Sequence, residues 1–241
     1  MNHRTRTVLA PAILVFGLGL AACNGDDPAD GASRGSSEST SPSTSPSVSP
    51  SSDATAESTE GGATEGGAEE VTTIAEYLAA EGVEQVPLGR DDDGPVIDLP
   101  VPDGWRTSED YAEAASYGAI VSESATDPAD PPRVLALLAR LEGDVDPARI
   151  LELAPGELQE LDGFVPIELE QESTLGAYEA AEVAGSLTTE GRELVVVQKT
   201  VAIRTDDGLH VLQLNAYAPA AEEDELVTAL TLINAQTTIT P

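Results

Sequence analysis

Leu194-Val195-Val196-Val197-Gln198-Lys199-Thr200-Val201-Ala202-Ile203-Arg204-Thr205, then Asp206-Asp207-Gly208, then Leu209-His210-Val211-Leu212-Gln213-Leu214-Asn215-Ala216-Tyr217-Ala218, is the stretch that decides the fold. Two strand-length runs rich in β-branched residues flank an Asp-Gly turn, a strong local signal for an antiparallel hairpin. Within both runs polar residues, among them Gln198, Thr200, Gln213 and Asn215, alternate with apolar ones. Period-two alternation predicts a sheet with one buried face and one more open face.

Working outward, Tyr178 to Leu187 reads as the preceding strand of a meander, joined through Glu190-Gly191, and Phe164 to Leu169 as a further strand. Glu222 to Ala235 closes the chain as an amphipathic helix, with Leu226, Leu230 and Ile233 on one stripe and acids in its first turn, where they suit the helix dipole. Upstream, Val134 to Leu141 suits a buried helix or a buried strand. Its place between Pro131-Pro132 and a clean helix start favours the strand. That start is Asp146-Pro147, an N-cap followed by proline at the first helical position. The helix runs to about Ala154, and Pro155-Gly156 opens a second turn carrying Leu158 and Leu161. Thr73 and Glu76 form a capping-box pair for an opening helix that Gly82 stops. Val83 to Leu88, Val96 to Leu99 and Tyr117 to Val121 complete the strands, and Trp105 reads as a core or edge anchor. The layout predicts an α+β domain over residues 71–241, an antiparallel β-sheet with helices packed on it.

The segment before residue 71 has a different character. Residues 1–22 carry Arg4 and Arg6, an apolar run from Val8 to Leu20 and small residues, the grammar of a cleaved signal peptide rather than of a spanning helix. Leu20-Ala21-Ala22-Cys23 resembles a bacterial lipobox, so the lone cysteine is expected to carry diacylglycerol and palmitate. Several acyl chains on Cys23 would make membrane attachment effectively permanent, at about 0.8 kcal/mol per buried methylene. Residues 23–70 form a disordered linker of Ser, Thr, Gly, Pro and acids, too poor in apolar residues to offset its ordering entropy. A flexible chain of this length reaches roughly 35–40 Å, enough to hold the domain clear of lipid headgroups. The expected location is the extracytoplasmic face of the cell membrane.

Charge narrows the partners. The 44 acidic and 11 basic residues give a net charge of −33, a field that disfavours nucleic acid and anionic lipid surfaces. Catalytic signals are sparse. Among the histidines, His210 alone would survive signal cleavage, and no Gly-x-Ser-x-Gly elbow, Walker loop or His-Glu-x-x-His accompanies it. Asp91-Asp92-Asp93 lacks the spaced oxygen ladder of a calcium loop and reads as a turn. No cofactor and no metal site is expected, and a non-enzymatic protein is the favoured class. The competing readings are an esterase-like hydrolase using His210 as base and a purely structural lipoprotein.

Several motifs converge on one family. Leu99-Pro100-x-Pro102-x-Gly104-Trp105, Tyr117 to Val121, Pro131 to Leu138, Gly143 to Leu151, Ala154 to Leu158, Leu161-Asp162-Gly163-Phe164, Gln198-Lys199-Thr200, Gly208 to Ala216 and Gln236 to Thr240 resemble the actinobacterial LpqN/LpqT lipoproteins. The resemblance implies a Mog1/PsbP-like α/β sandwich. It also implies a binding or docking role in the cell envelope, in handling of mycolate glycolipids beside an MmpL-type membrane transporter. In a pathogenic relative it further implies contact with a host ubiquitin ligase.

Overall fold

The computed structural model describes residues 71–167, 173–189 and 191–241. The expected signal peptide, Cys23 and the expected linker lie outside the described residues, as does the end of the strand expected over Phe164 to Leu169.

In chain order the elements are α1 (Ile74–Glu81), β1 (Glu84–Leu88), β2 (Val96–Asp98), β3 (Trp105–Ser108), β4 (Gly118–Ser122) and β5 (Arg133–Glu142). There follow α2 (Pro147–Leu153), α3 (Gly156–Gln159), β6 (Phe164–Pro166), β7 (Ser173–Leu175), β8 (Tyr178–Thr189), β9 (Arg192–Thr205), β10 (Gly208–Pro219), α4 (Glu223–Gln236) and β11 (Thr238–Thr240). Nine strands form one antiparallel sheet along the order β3-β4-β5-β10-β9-β8-β6, with β1 on the remaining edge of β5 and β7 on that of β8. A separate ribbon pairs β2 with β11, and Tyr117 fastens it to the sheet: its hydroxyl accepts from Ile97 N–H at 2.8 Å and donates to the Ile97 carbonyl.

The quoted hairpin is present, with Gly208 opposite Thr205 and Pro219 opposite Leu194. Its open face is not. Strand β10 is buried from Leu209 to Ala218 without a break, because β5 and β9 flank it and helices cover both sides. On one face Leu212, Leu214, Ala216 and Ala218 pack with Val201, Ile203 and the α4 residues Leu226, Ala229 and Ile233. On the other, Leu209 and Val211 meet Ile74, Leu78, Ile150 and Leu153 of α1 and α2, while Tyr217 meets Leu158 of α3. Gln198, Thr200, Gln213 and Asn215 lie on that second face and are buried too. A period-two pattern reports which side chains share a face, and it does not report whether a helix lies over the polar set.

Local chemistry explains the helices. Thr73 and Glu76 form the capping box of α1, and Gly82 ends it in the left-handed conformation at φ 67°. Asp146 accepts from Ala148 N–H at 3.0 Å and Pro147 presets the first turn of α2. Trp105 is buried in the core, as expected. The entry to the domain is clamped by α3. Glu157 Oε1 accepts from Ile74 N–H at 3.0 Å, and Gly156 lies so close to Thr72 that a Cβ would stand 1.9 Å from the Thr72 carbonyl oxygen.

Burial pushes the Glu157 carboxyl up to about 7, against the N–H bonds of α1 that favour its charge. Because its folded value exceeds the unfolded 4.5, this group favours the fold most at low pH, and its contribution is lost as pH rises through about 7. Glu157→Gln keeps an acceptor for Ile74 without the charge. Urea unfolding between about pH 4.5 and pH 8 should show a flatter pH dependence in the variant and higher stability at the alkaline end, by ~1–3 kcal/mol.

Candidate functional site

The seven-residue helix α2 crosses the second face of the sheet over β8 and β9. The side chains between its first turn and the strands are small: Ala148 above, Ala181 and Ala202 below. They leave an open groove of about 760 Å³ lined by both layers, with Pro147 and Leu151 on the helix side and Asp146, Glu152 and Glu179 among its polar residues. That volume lies within the range of roughly 300–1,000 Å³ typical of small-molecule sites. Apolar walls beside carboxylates suit an amphipathic ligand whose head is neutral or cationic and disfavour an anionic one.

Beyond the groove the floor changes character. Thr200 stands opposite Ala181 across the β8–β9 ladder, and it is two residues from Ala202 on the same face. Thr200 in turn faces Gln213, and Gln198 faces Asn215, so the four side chains form a two-by-two block on the two central strands. They are 0–3 % exposed. Asn215 Nδ2 donates to Gln213 Oε1 at 3.4 Å, whereas Thr200 Oγ1 and both polar atoms of the Gln198 amide are buried without a partner. Each such group costs about 1–3 kcal/mol in an otherwise satisfied core. The block also explains why apolar packing on this face forms two clusters, one under α1 and α2 and one under α3.

A second groove of about 430 Å³ lies at the β3–β4 end, where the Arg90 guanidinium sits 5.1 Å above the Tyr117 ring near the hydroxyls of Thr107, Ser108 and Ser116. Glu109 also lines it, so its charge is mixed.

His210 is far from either role. It points to the α4 face, opposite Ile203 and beside Gly94, and is 1 % exposed. Among the described residues neither ring nitrogen has a hydrogen-bond partner, so no serine hydroxyl and no carboxylate of theirs orients it. Burial, and then the Arg140 charge, hold its pKa below the ordinary 6.5, with Asp207 acting weakly the other way. His210 is thus a buried core histidine with no hydrogen-bond partner among the described residues. Cys23, the expected lipidation site, lies outside the described residues. The block was legible only as alternation; the signal that could have exposed it is that Gln198, Thr200, Gln213 and Asn215 are uncharged, where a solvent face in so acidic a chain would carry Asp or Glu.

The fold defines the class: an α+β domain built on one antiparallel sheet with helices on both faces and a groove between helix and sheet. The chain belongs to the LpqN lipoprotein family, described as probable lipoprotein LpqN, whose model matches residues 70–240. It is 44 % identical over 170 residues to Lipoprotein LpqN of Mycobacterium tuberculosis, covering 70 % of this chain and 74 % of that relative. Its fold is similar to the crystal structure of LpqN involved in cell envelope biogenesis of Mycobacterium tuberculosis, with a TM-score of 0.66 and 43 % identity over 70 % of this chain and 98 % of that one.

Because the folded pKa of His210 is depressed, its contribution to stability is present above 6.5 and is lost as pH falls toward the folded value. Replacing it with leucine, which has no ring nitrogen to protonate, should lessen the fall in melting temperature on acidification from about pH 7 to pH 5.

Proposed function

We propose that this protein is a membrane-anchored, non-enzymatic binding module of the cell envelope, carried on a lipid at Cys23 after cleavage of residues 1–22. Its groove between α2 and the β8–β9 floor holds an amphipathic envelope ligand. The single observation that carries this reading is that groove: open, partly apolar and lined by side chains from both layers. The carboxylates around it favour a ligand with a neutral head, such as a glycolipid, over an anionic phospholipid. Family membership supports an envelope setting, since the M. tuberculosis LpqN of known structure is described as involved in cell envelope biogenesis. Closed burial of His210, with no partner at either nitrogen, favours binding over hydrolysis. Docking beside a membrane transporter follows from the same logic, because a tethered carrier needs a site at which to load or deliver its ligand.

The test is lipid analysis of protein purified from its native membrane, beside an Ala202→Phe variant that fills the groove. The wild type is expected to retain an envelope lipid at near-stoichiometric yield and the variant less than about a fifth of it, with an unchanged fold by circular dichroism. Equal retention by both, or none by the wild type, contradicts the groove as a ligand site. For the anchor, Cys23→Ala should move the protein from the membrane pellet to the soluble fraction. Persistence in the pellet rejects the anchor.

A further inference from the structure

We propose that the groove at the β3–β4 end binds a small zwitterion, a free amino acid or a short peptide, with its carboxylate on Arg90 and its ammonium toward Glu109. This cavity shares no lining residue with the groove under α2, and the proposal does not rest on the reading of that groove.

The cation is the first observation. Acidic residues outnumber basic ones 44 to 11 in the chain, so a cation has carboxylates to choose from. Arg133, Arg140, Arg149, Arg192 and Lys199 each pair with one. Arg90 does not: among the described residues its guanidinium has no hydrogen-bond or ion-pair partner, and what it meets is the Tyr117 ring, 5.1 Å away. Asp92, two residues on, accepts from Gly89 N–H at 2.7 Å instead.

The second is that this cation is held in place. Tyr117 is buried, and its hydroxyl is tied to the N–H and the carbonyl of Ile97, so the ring beneath Arg90 is fixed. A Cβ on Gly118 would stand 3.1 Å from Arg90 Nε, so the missing side chain there lets the guanidinium settle beside the start of β4. A planar fork positioned in this way keeps its N–H groups for a ligand and loses little freedom on binding one.

The third is the charge opposite in sign. Glu109 lines the same groove, yet it forms no ion pair with Arg90. Two opposite charges that share a cavity of about 430 Å³ without pairing are complementary to a ligand that carries both. A carboxylate alone gains the guanidinium but meets repulsion from Glu109, and an ammonium alone meets the reverse. One guanidinium also balances one negative charge, which favours a carboxylate over a dianionic phosphate. Ala112 and Ala115 supply small apolar walls that suit a short side chain. The Thr107 hydroxyl, without a partner among the described residues, can donate or accept. Ser108 is already engaged: its hydroxyl donates to the Asp110 carboxylate at 3.1 Å and accepts from Asp110 N–H at 3.3 Å.

The experiment uses the full chain carrying Cys23→Ala, alone and with Arg90→Gln or Glu109→Gln; both side chains are exposed, so neither change disturbs the core. Calorimetry at low ionic strength measures binding of L-alanine, L-alanyl-L-alanine, N-acetyl-L-alanine, L-alaninamide and phosphoethanolamine. Alanine or the dipeptide should bind, and the acetylated and amidated compounds, which each lack one charge, should bind about tenfold more weakly. Arg90→Gln should weaken the zwitterion by a similar factor, and Glu109→Gln should erase its advantage over N-acetyl-L-alanine. Ala202→Phe, which fills the groove under α2, should leave this binding unchanged; its loss in that variant places the ligand in the other groove and overturns the assignment. No binding of either zwitterion, binding that survives Arg90→Gln, equal binding of N-acetyl-L-alanine, or a preference for phosphoethanolamine overturns it as well.

Discussion

The antiparallel pairing of β10 with β5 on one side and β9 on the other is the constraint on which the structure depends. It places a strand with ten consecutive buried residues, Leu209 to Ala218, at the centre of the sheet. A strand so placed exposes no face to water, so both sides of the sheet must be covered. Helix α4 and the β2–β11 ribbon do this on one side, α1, α2 and α3 on the other. On the first face the polar interruptions within the central strands are His210, opposite Arg140, and Lys199, opposite and paired with Glu182, and the apolar packing there forms one cluster. The second face carries the polar block, and its packing is divided.

That division has a structural consequence. Helix α2 is seated on β10 through Ile150 and Leu153, which pack with Leu209 and Val211, whereas at its first turn only small side chains, Ala148, Ala181 and Ala202, stand between helix and strands. The groove is thus a product of three small side chains and a helix that stops after seven residues. Arg133 contributes to the rigidity of the far end: it pairs with Asp130 at 2.8 Å and lies between the rings of Tyr111 and Tyr217, at 5.6 and 5.0 Å. Tyr217, buried beside it, has its phenol pushed up to about 12.

Much of the architecture was legible in the residues because its determinants are local. The Asp-Gly turn set the β9–β10 hairpin, Thr73 with Glu76 and Gly82 bounded α1, and Asp146-Pro147 started α2. Val134 to Leu141 was correctly assigned to a strand, by its flanking prolines and the helix signal after it. What escaped is non-local. Nothing near Leu209 says that it will lie opposite Leu141, and without that pairing β10 reads as one side of a half-open hairpin. The three-residue strands β7 and β11 carry too few residues to show a period, and exist because β8 and β2 offer them an edge. The site was the least legible part: polar residues at alternate positions look the same in sequence whether water or a helix covers them. His210 was conspicuous as a lone histidine, yet no pattern of spacing could show that both its nitrogens would be buried without a partner.

The proposed function combines the acidic charge of the chain with the groove between α2 and the sheet as a site for a neutral amphiphile. Hydrogen exchange of the full chain, with and without a lipid extract of the native envelope, tests this most directly because it locates the binding surface without presupposing the ligand. The account predicts added protection concentrated in α2 and at the start of β8, over residues 147–153 and 178–182. Protection confined to other segments, or an exchange pattern that the extract does not change, would contradict it.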